Sequence, residues 1–493
     1  MVGSLAIGMA IRRPAKRNLT GSPTRFAGSI PENTDQCFRV IFIQTKRVVM
    51  KPGILFKALV ILPLVLAPFT SGKAVAAPDT HHRPSIGLAL SGGGARGSAH
   101  LGVLRVLEEM NIPVDYIAGT SMGSIIGGLY ASGMSVDEIE QALVDIEWEN
   151  IFSDLQPRQE RRFRRKLDDY LYLVRHRIGV DERKGEINLA PALIQGQKFD
   201  LILRKYLLPV ANIDNFDRLR IPFRAVATDI VTGKAVVLGS GDLPTAIRAS
   251  MAVPAVFSPV ELNDHLLVDG GIAMNLPISA VRDMGADIVI AVDISTPGLE
   301  RDQIKSALDM LNQMSALLTR RDADIQIASL TSRDVFIVPE LGERVTSADF
   351  KSEKLLEGVA IGYAGANAHR AELRRLAVSA PAYASYRKSI APPRRTRPTI
   401  DYVHVENKSR LSDEVITSRV TVKPGEPLDP DRLEQDVGRI YGLDNFESVR
   451  YRVEERNGET GVVISAKQKS WGTSSLQLGL ELSSTSSGDA FFN

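Results

Sequence analysis

Between residues 84 and 380, six unbroken apolar runs (SIGLALS, VDYIAGTS, FRAVATDI, HLLVDGG, DIVIAVDIS and VFIVPEL) alternate with stretches of helical character. A strand with one wet face alternates apolar and polar residues, whereas a strand covered on both faces reads as a continuous apolar run. Runs of this kind separated by helices predict an α/β fold with a mostly parallel sheet.

The first run leads into Ser91-Gly92-Gly93-Gly94-Ala95-Arg96-Gly97 and then into a helical stretch, SAHLGVLRVLEEM. Gly92, Gly94 and Gly97 fit G-x-G-x-x-G, so a dinucleotide loop is one reading. That fingerprint wants an acidic residue ending the second strand. Asp115 has about the right spacing but precedes the strand YIAG. The next turn, Gly119-Thr120-Ser121-Met122-Gly123, is a G-x-S-x-G placed between a strand and a helix. Glycines flanking the serine remove side chains that would clash in so tight a turn, and they lift the hydroxyl clear of the sheet. Ser121 is therefore the candidate nucleophile. Further on, Ser135 to Glu138 has capping-box spacing and starts another helix.

A serine nucleophile needs a base. His100 and His265 are the histidines closest to the motifs. His265 opens an apolar run near a turn, and His100 sits in the first turn after the glycine loop, where packing suffices to explain it. Asp269-Gly270-Gly271 is the better candidate, because the aspartate closes a strand and strand C-terminal ends face the ligand crevice in parallel sheets. Asp229 and Asp293 also close strands, and spacing alone leaves them open. The seven histidines form no paired metal-ligand motif, and the single cysteine, Cys37, can make no intrachain disulfide. No cofactor is expected. A net charge of +2 offers no bulk attraction for nucleic acid.

Before this domain, Met50–Ala76 has a lysine-bearing start, an apolar centre and an Ala74-Val75-Ala76 cleavage pattern, which reads as a secretory signal peptide. Residues 1–49 then read as an extension ahead of the true start. After the domain, residues 381–398 read as a linker around APPRRTRPT. A unit of order β-α-α-β-β follows over 399–470, its last two strands joined through NGE. Residues 473–493 contain SSLQLGLELSS, with Leu476, Leu478, Leu480 and Leu482 on one face.

The ordered set of GGGxRG at Gly92–Gly97, GxSxG at Ser121 and DGG at Asp269 resembles the patatin-like phospholipases. LIQGQKFD (193–200) and IRASMAVPAVFSPV (247–260) look like bacterial members. The resemblance implies a three-layer α/β/α domain over 84–380. It implies Ser121 as nucleophile and Asp269 as base, within the motifs marked by Gly119, Gly123, Gly270 and Gly271. An oxyanion loop would be formed from Gly92, Gly93, Gly94, Arg96 and Gly97, with Arg96 bracing that loop or drawing a phosphate headgroup. A dyad without imidazole needs close contact and a partly dry site to raise the carboxylate pKa. The substrate implied is a phospholipid or lysophospholipid at a membrane surface.

The 399–470 unit looks like a POTRA domain, and the last segment like the first strand of an outer-membrane barrel. That is the layout of patatin-type autotransporters, which implies export to the outer membrane, cell surface or medium, and a homodimer. One strand cannot close a barrel, so a fragment or a truncated chain is expected. The basic run RQERRFRRK (158–166) would touch anionic headgroups or form a solvated helix face. The competing readings are a nucleotide-binding enzyme and a non-enzymatic secretion or assembly module.

Overall fold

The computed structural model describes residues 83–152, 174–181, 186–189, 192–296, 298–391, 397–472, 474–478, 482–484 and 490–492. The segment expected to be a signal peptide, the residues ahead of it and the basic run 158–166 lie outside the described residues.

In chain order the first domain contains β1 (Ile86–Leu90), α1 (Ala99–Glu109), β2 (Tyr116–Thr120), α2 (Met122–Ala131), α3 (Val136–Asp145) and α4 (Trp148–Ile151). Then come β3 (Val174–Asp181), β4 (Glu186–Leu189), α5 (Gln197–Leu207), β5 (Phe223–Asp229), β6 (Lys234–Leu238) and α6 (Leu243–Ser250). It continues with β7 (Val260–Leu262), β8 (His265–Asp269), α7 (Ile278–Asp283), β9 (Ile288–Val292), α8 (Ala307–Ala328), β10 (Val335–Ile337), α9 (Ser352–Ala368), α10 (Arg370–Leu373) and α11 (Ala380–Ile390).

The sheet order is β10-β9-β1-β2-β5-β8-β7, with β6 added to β5. The pairs from β10 to β5 are parallel. Those of β5 with β6 and β8, and of β7 with β8, are antiparallel. All six expected runs contain strands of this sheet. Their alternate residues serve two different layers. Ile86, Leu88, Leu90, Ile117, Ile288, Ile290 and Val292 face one core, built with α1, α2 and α9. The intervening Ala89, Ala118, Val289 and Ala291 face a second core with α7 and Ala323 of α8. Large residues on one face and small ones on the other set how near each helical layer lies. The result is three layers, α/β/α.

The capping box at Ser135 is present: Glu138 N donates to Ser135 Oγ at 3.2 Å, and Ser135 N donates to Glu138 Oε2 at 2.9 Å. The expected linker needs correction at its start. Residues 381–390 belong to α11, capped by Ser379 with Pro381 in the first turn. Tyr386 Oη both donates to Val114 O and accepts from Val114 N, fastening this helix back onto the first domain. Pro381 sits in the first turn of this helix, where its missing N–H costs nothing.

The second unit has β11 (Tyr402–Lys408), α12 (Asp413–Thr417), α13 (Pro430–Tyr441), β12 (Phe446–Arg456) and β13 (Glu459–Gln468), the expected order. β11 pairs parallel with β13, and β12 and β13 form a hairpin. Its tip is Asn457-Gly458, both at positive φ as a tight hairpin turn demands. Of the last segment, β14 (Ser474–Leu478) pairs antiparallel with β3.

α5 is shared between the two cores. Phe199, Leu203 and Leu207 point into the first, and Leu201 into the second. At its start Gln197 clasps a peptide unit of β12, accepting from Val449 N at 2.9 Å and donating to Val449 O.

Candidate active site

β2 ends at Thr120 and α2 begins at Met122, so Ser121 makes the whole turn. It does so at φ 52°, ψ −122°, a conformation that costs an L-residue on the order of 1–3 kcal/mol. Surrounding contacts hold it there. Ser121 N donates to Ser250 Oγ at 2.9 Å, and Ser250 Oγ donates onward to Val226 O at 2.5 Å. The carbonyl of Ser121 accepts from Ser124 N at 2.9 Å and Ile125 N at 3.2 Å. A Cβ on Gly119 would stand 2.3 Å from Gly123 O, and one on Gly123 would stand 2.4 Å from Leu90 O. Both flanking glycines are therefore sterically required.

Asp269 closes β8 and is buried. Its backbone is pinned by donation of its N–H to Ala252 O at 2.9 Å and by acceptance from Thr228 Oγ1 at 2.9 Å. Gly271 N donates to Asp269 Oδ1 at 2.8 Å, and the Ser121 side chain lies near enough to the same carboxylate to lower its pKa. Burial pushes the Asp269 carboxyl up to about 6, against the pull of the Gly271 N–H and of the nearby Ser121 hydroxyl. That is the direction a carboxylate base requires. Gly270 lies so close to β5 that a Cβ there would stand 2.1 Å from Val226 O.

Gly92, Gly93 and Gly94 line one cavity together with Ser121, Asp269 and Gly271. Among the described residues the N–H groups of Gly93 and Gly94 have no protein partner, whereas Gly92 N donates to Asn275 Oδ1 at 3.2 Å. Arg96 and Gly97, expected in the oxyanion loop, do not line the cavity. The Arg96 guanidinium points into the protein, donating to Ile294 O (2.9 Å), Gly342 O (2.9 Å), Val345 O (3.1 Å) and Ser295 O (3.3 Å). Of its two expected roles the geometry matches the brace. Gly97 makes room for the Met122 side chain, whose Cγ a Cβ would meet at 2.0 Å.

Asn275 was not singled out from sequence. It is buried, its Nδ2 donates to Gly92 O at 3.3 Å and to Ser295 Oγ at 2.8 Å, and its Oδ1 takes the Gly92 N–H. It thus clamps both polar groups of the loop residue next to Gly93. It lies six residues beyond Asp269, so one short segment holds the carboxylate and fixes the glycine loop. An asparagine in a loop carries no sequence signal of a partner 183 residues away.

The other acid and base candidates lie elsewhere. His265 opens the strand that Asp269 closes, roughly 13 Å away along the strand, and its Nδ1 lies 3.3 Å from Asp229 Oδ2. Asp293 accepts from Ser295 N at 2.9 Å. His100 is fully buried with Nε2 2.9 Å from Ser91 O, and burial pushes it down to about 4, so it is neutral. None of these four residues lines the cavity. Asp115 accepts from Arg83 and from Ile86 N ahead of β2, at the opposite end of that strand from Ser121.

The cavity measures about 550 Å³ and is mostly apolar. Met122, Ile125, Met251, Val256 and Ile272 contribute, with an aromatic group from three separate segments. The Phe350 ring lies 4.6 Å from Trp148 and 5.0 Å from Phe152, and Phe152 lies 6.0 Å from Phe257.

Comparison with known proteins follows the same division. Residues 88–282 match the patatin-like phospholipase family, and residues 398–469 match the POTRA family of surface-antigen variable number repeats. An uncharacterized NTE family protein of Mycobacterium tuberculosis is 35% identical over 47% of this chain and 56% of its own length. Lysophospholipase NTE1 of Mycosarcoma maydis is 33% identical over 43% of this chain and 10% of its own. The chain thus spans little more than half of the former relative and a tenth of the latter. The structure of VipD from Legionella pneumophila aligns over 58% of this chain and 66% of its own at 16% identity, with a TM-score of 0.32. This chain is thus built from a patatin-like phospholipase domain, whose matched stretch takes in both Ser121 and Asp269, and a POTRA domain that follows it.

Proposed function

We propose that the protein is a serine lipid acyl hydrolase of phospholipase A or lysophospholipase type, working through a Ser121–Asp269 dyad. The observation that carries this reading is the juxtaposition itself: a serine in a strained turn and a buried carboxylate share the wall of one mostly apolar cavity. Asp269 takes the hydroxyl proton as Ser121 Oγ attacks an ester carbonyl. The N–H groups of Gly93 and Gly94 meet the oxyanion, helped by the N-terminus of α2. The ester C–O bond then breaks, the proton passes to the departing alcohol, and an acyl group stays on Ser121. Water, deprotonated by Asp269, releases the fatty acid and restores the serine. Burial of Asp269 supplies the basicity that an imidazole supplies elsewhere.

Mass spectrometry of products from mixed phospholipids and lysophospholipids tests the scheme. The folded wild-type protein should release free fatty acid, and Ser121→Ala should release none above background. Fatty-acid release retained by Ser121→Ala sinks it.

Export through the Met50–Ala76 segment is part of the same proposal, supported by the leader pattern and the POTRA match. Amino-terminal sequencing of the protein from an envelope fraction should begin at Ala77. A cytoplasmic protein that keeps residues 50–76 contradicts it.

A further inference from the structure

The faces of α8 are reversed relative to an ordinary surface helix. On its inner side Ala323 and Gln326 are buried, and Ala316 and Thr319, partly exposed, form part of the cavity rim. On its outer side Met310 (59%), Met314 (59%), Leu317 (60%), Leu318 (47%) and Ile325 (64%) are exposed. At one turn per 3.6 residues these five fall within about 100° of arc, a single stripe. A helix at a water-facing surface turns such a stripe inward, and a contiguous apolar patch left outside marks an interaction surface. Apolar surface also continues from the cavity to its edge at Val253, which lines the cavity and is 38% exposed.

We propose that the outer stripe of α8 seats on a lipid bilayer and brings the cavity mouth against the acyl chains. The position argues for a bilayer over another occupant. The helix that carries the stripe also forms the rim, so a protein seated there would crowd the entrance, whereas a bilayer would supply what enters. Met and Leu side chains suit a fluid apolar phase, and the exposed Arg321 within the stripe can lay its stem along that phase while its guanidinium stays among headgroups. The proposal rests on the lipid-hydrolase reading above.

The test uses the full chain and vesicles of phosphatidylcholine with phosphatidylglycerol. Wild type is compared with M314E/L317E and with the milder M310S/L317S, which stands in should the glutamate pair impair folding. Vesicle flotation, hydrolysis of vesicle lipid, hydrolysis of a soluble short-chain ester and size-exclusion mass are read on each. Flotation and vesicle hydrolysis should both fall at least about tenfold, because two large apolar side chains leave the contact, while soluble-ester hydrolysis stays within about twofold. Unchanged flotation overturns the proposal. So does a wild-type dimer that the substitutions split without changing flotation, which would assign the stripe to a second copy. If wild type fails on the soluble ester as well, the hydrolase reading fails, and flotation still decides the stripe.

Discussion

The antiparallel pair β5–β8 carries an aspartate at each end, and the two have opposite chemistry. Asp229 accepts from the Thr232 hydroxyl, from Val231 N and from the neighbouring His265, and these donors hold its carboxyl below the ordinary range. Asp269 accepts from Gly271 N beside Ser121 in a mostly apolar surround, and burial holds it up at about 6. Both close a strand, and both could be imagined as a base from sequence. What separates them is the wall each one faces: Asp229 sits among polar partners and a half-exposed histidine, Asp269 beside a serine in a mostly apolar cavity. A strand end provides a position for a carboxylate, and its basicity is set by elements that arrive from elsewhere in the chain.

The sharpest break of this contrast is Asp269→Asn. Activity should fall by about 10²–10⁴-fold, the range for losing a positioned base. The same substitution should stabilise the fold. A carboxyl raised to about 6 favours folding fully below its unfolded pKa near 4, and that contribution disappears as pH rises through 6. At neutral pH the ionised, buried group therefore costs the wild type up to roughly 3 kcal/mol, which asparagine would recover. Thermal unfolding should show the variant more stable above pH 6 and level with wild type below pH 4. In wild type, kcat/KM should climb with pH through about 6 and then flatten. A profile flat between pH 5 and 8 would remove Asp269 as the titrating base.

Asn275→Ala should come next. Freeing the clamp on Gly92 that positions the loop carrying the Gly93 and Gly94 N–H groups should lower kcat by up to about 10²–10³-fold, the range for losing an oxyanion donor outright, with little change in KM. A KM rise at constant kcat would mean that Asn275 shapes binding only. The smallest effect belongs to the far end of the pair. His265→Ala should leave kcat/KM within about twofold, since its ring lies against Asp229 and away from the cavity. A hundredfold loss there would reverse the comparison.

Much of this was legible in the chain because the relevant constraints are local. Apolar runs covered on both faces marked the strands, and the glycines about Ser121 marked a turn with no room for side chains. The Ser121 and Asp269 motifs could be read for the same reason. What could not be read depends on long-range partners. Arg96 was assigned two roles because nothing near it in sequence reveals the carbonyls of residues 294, 295, 342 and 345 that fix its direction. Asn275 was missed on the same ground. The cavity wall combines Trp148, Phe257 and Phe350, which only the fold brings together. The start of the linker was misplaced because Tyr386, which fastens α11, finds its partner at Val114.

The clasp between Gln197 and Val449, with Leu201 set in the POTRA core, bears on how such chains can be recombined. Fusing the patatin-like domain to a different module at the proline-arginine stretch would leave Leu201 facing water and Gln197 with no peptide to hold. The seam between the two domains is therefore written twice, once in the connecting segment and once on the outer face of α5. A gene exchange that kept only the first copy would carry over Ser121 and Asp269 intact and lose the fit of α5 against its partner domain.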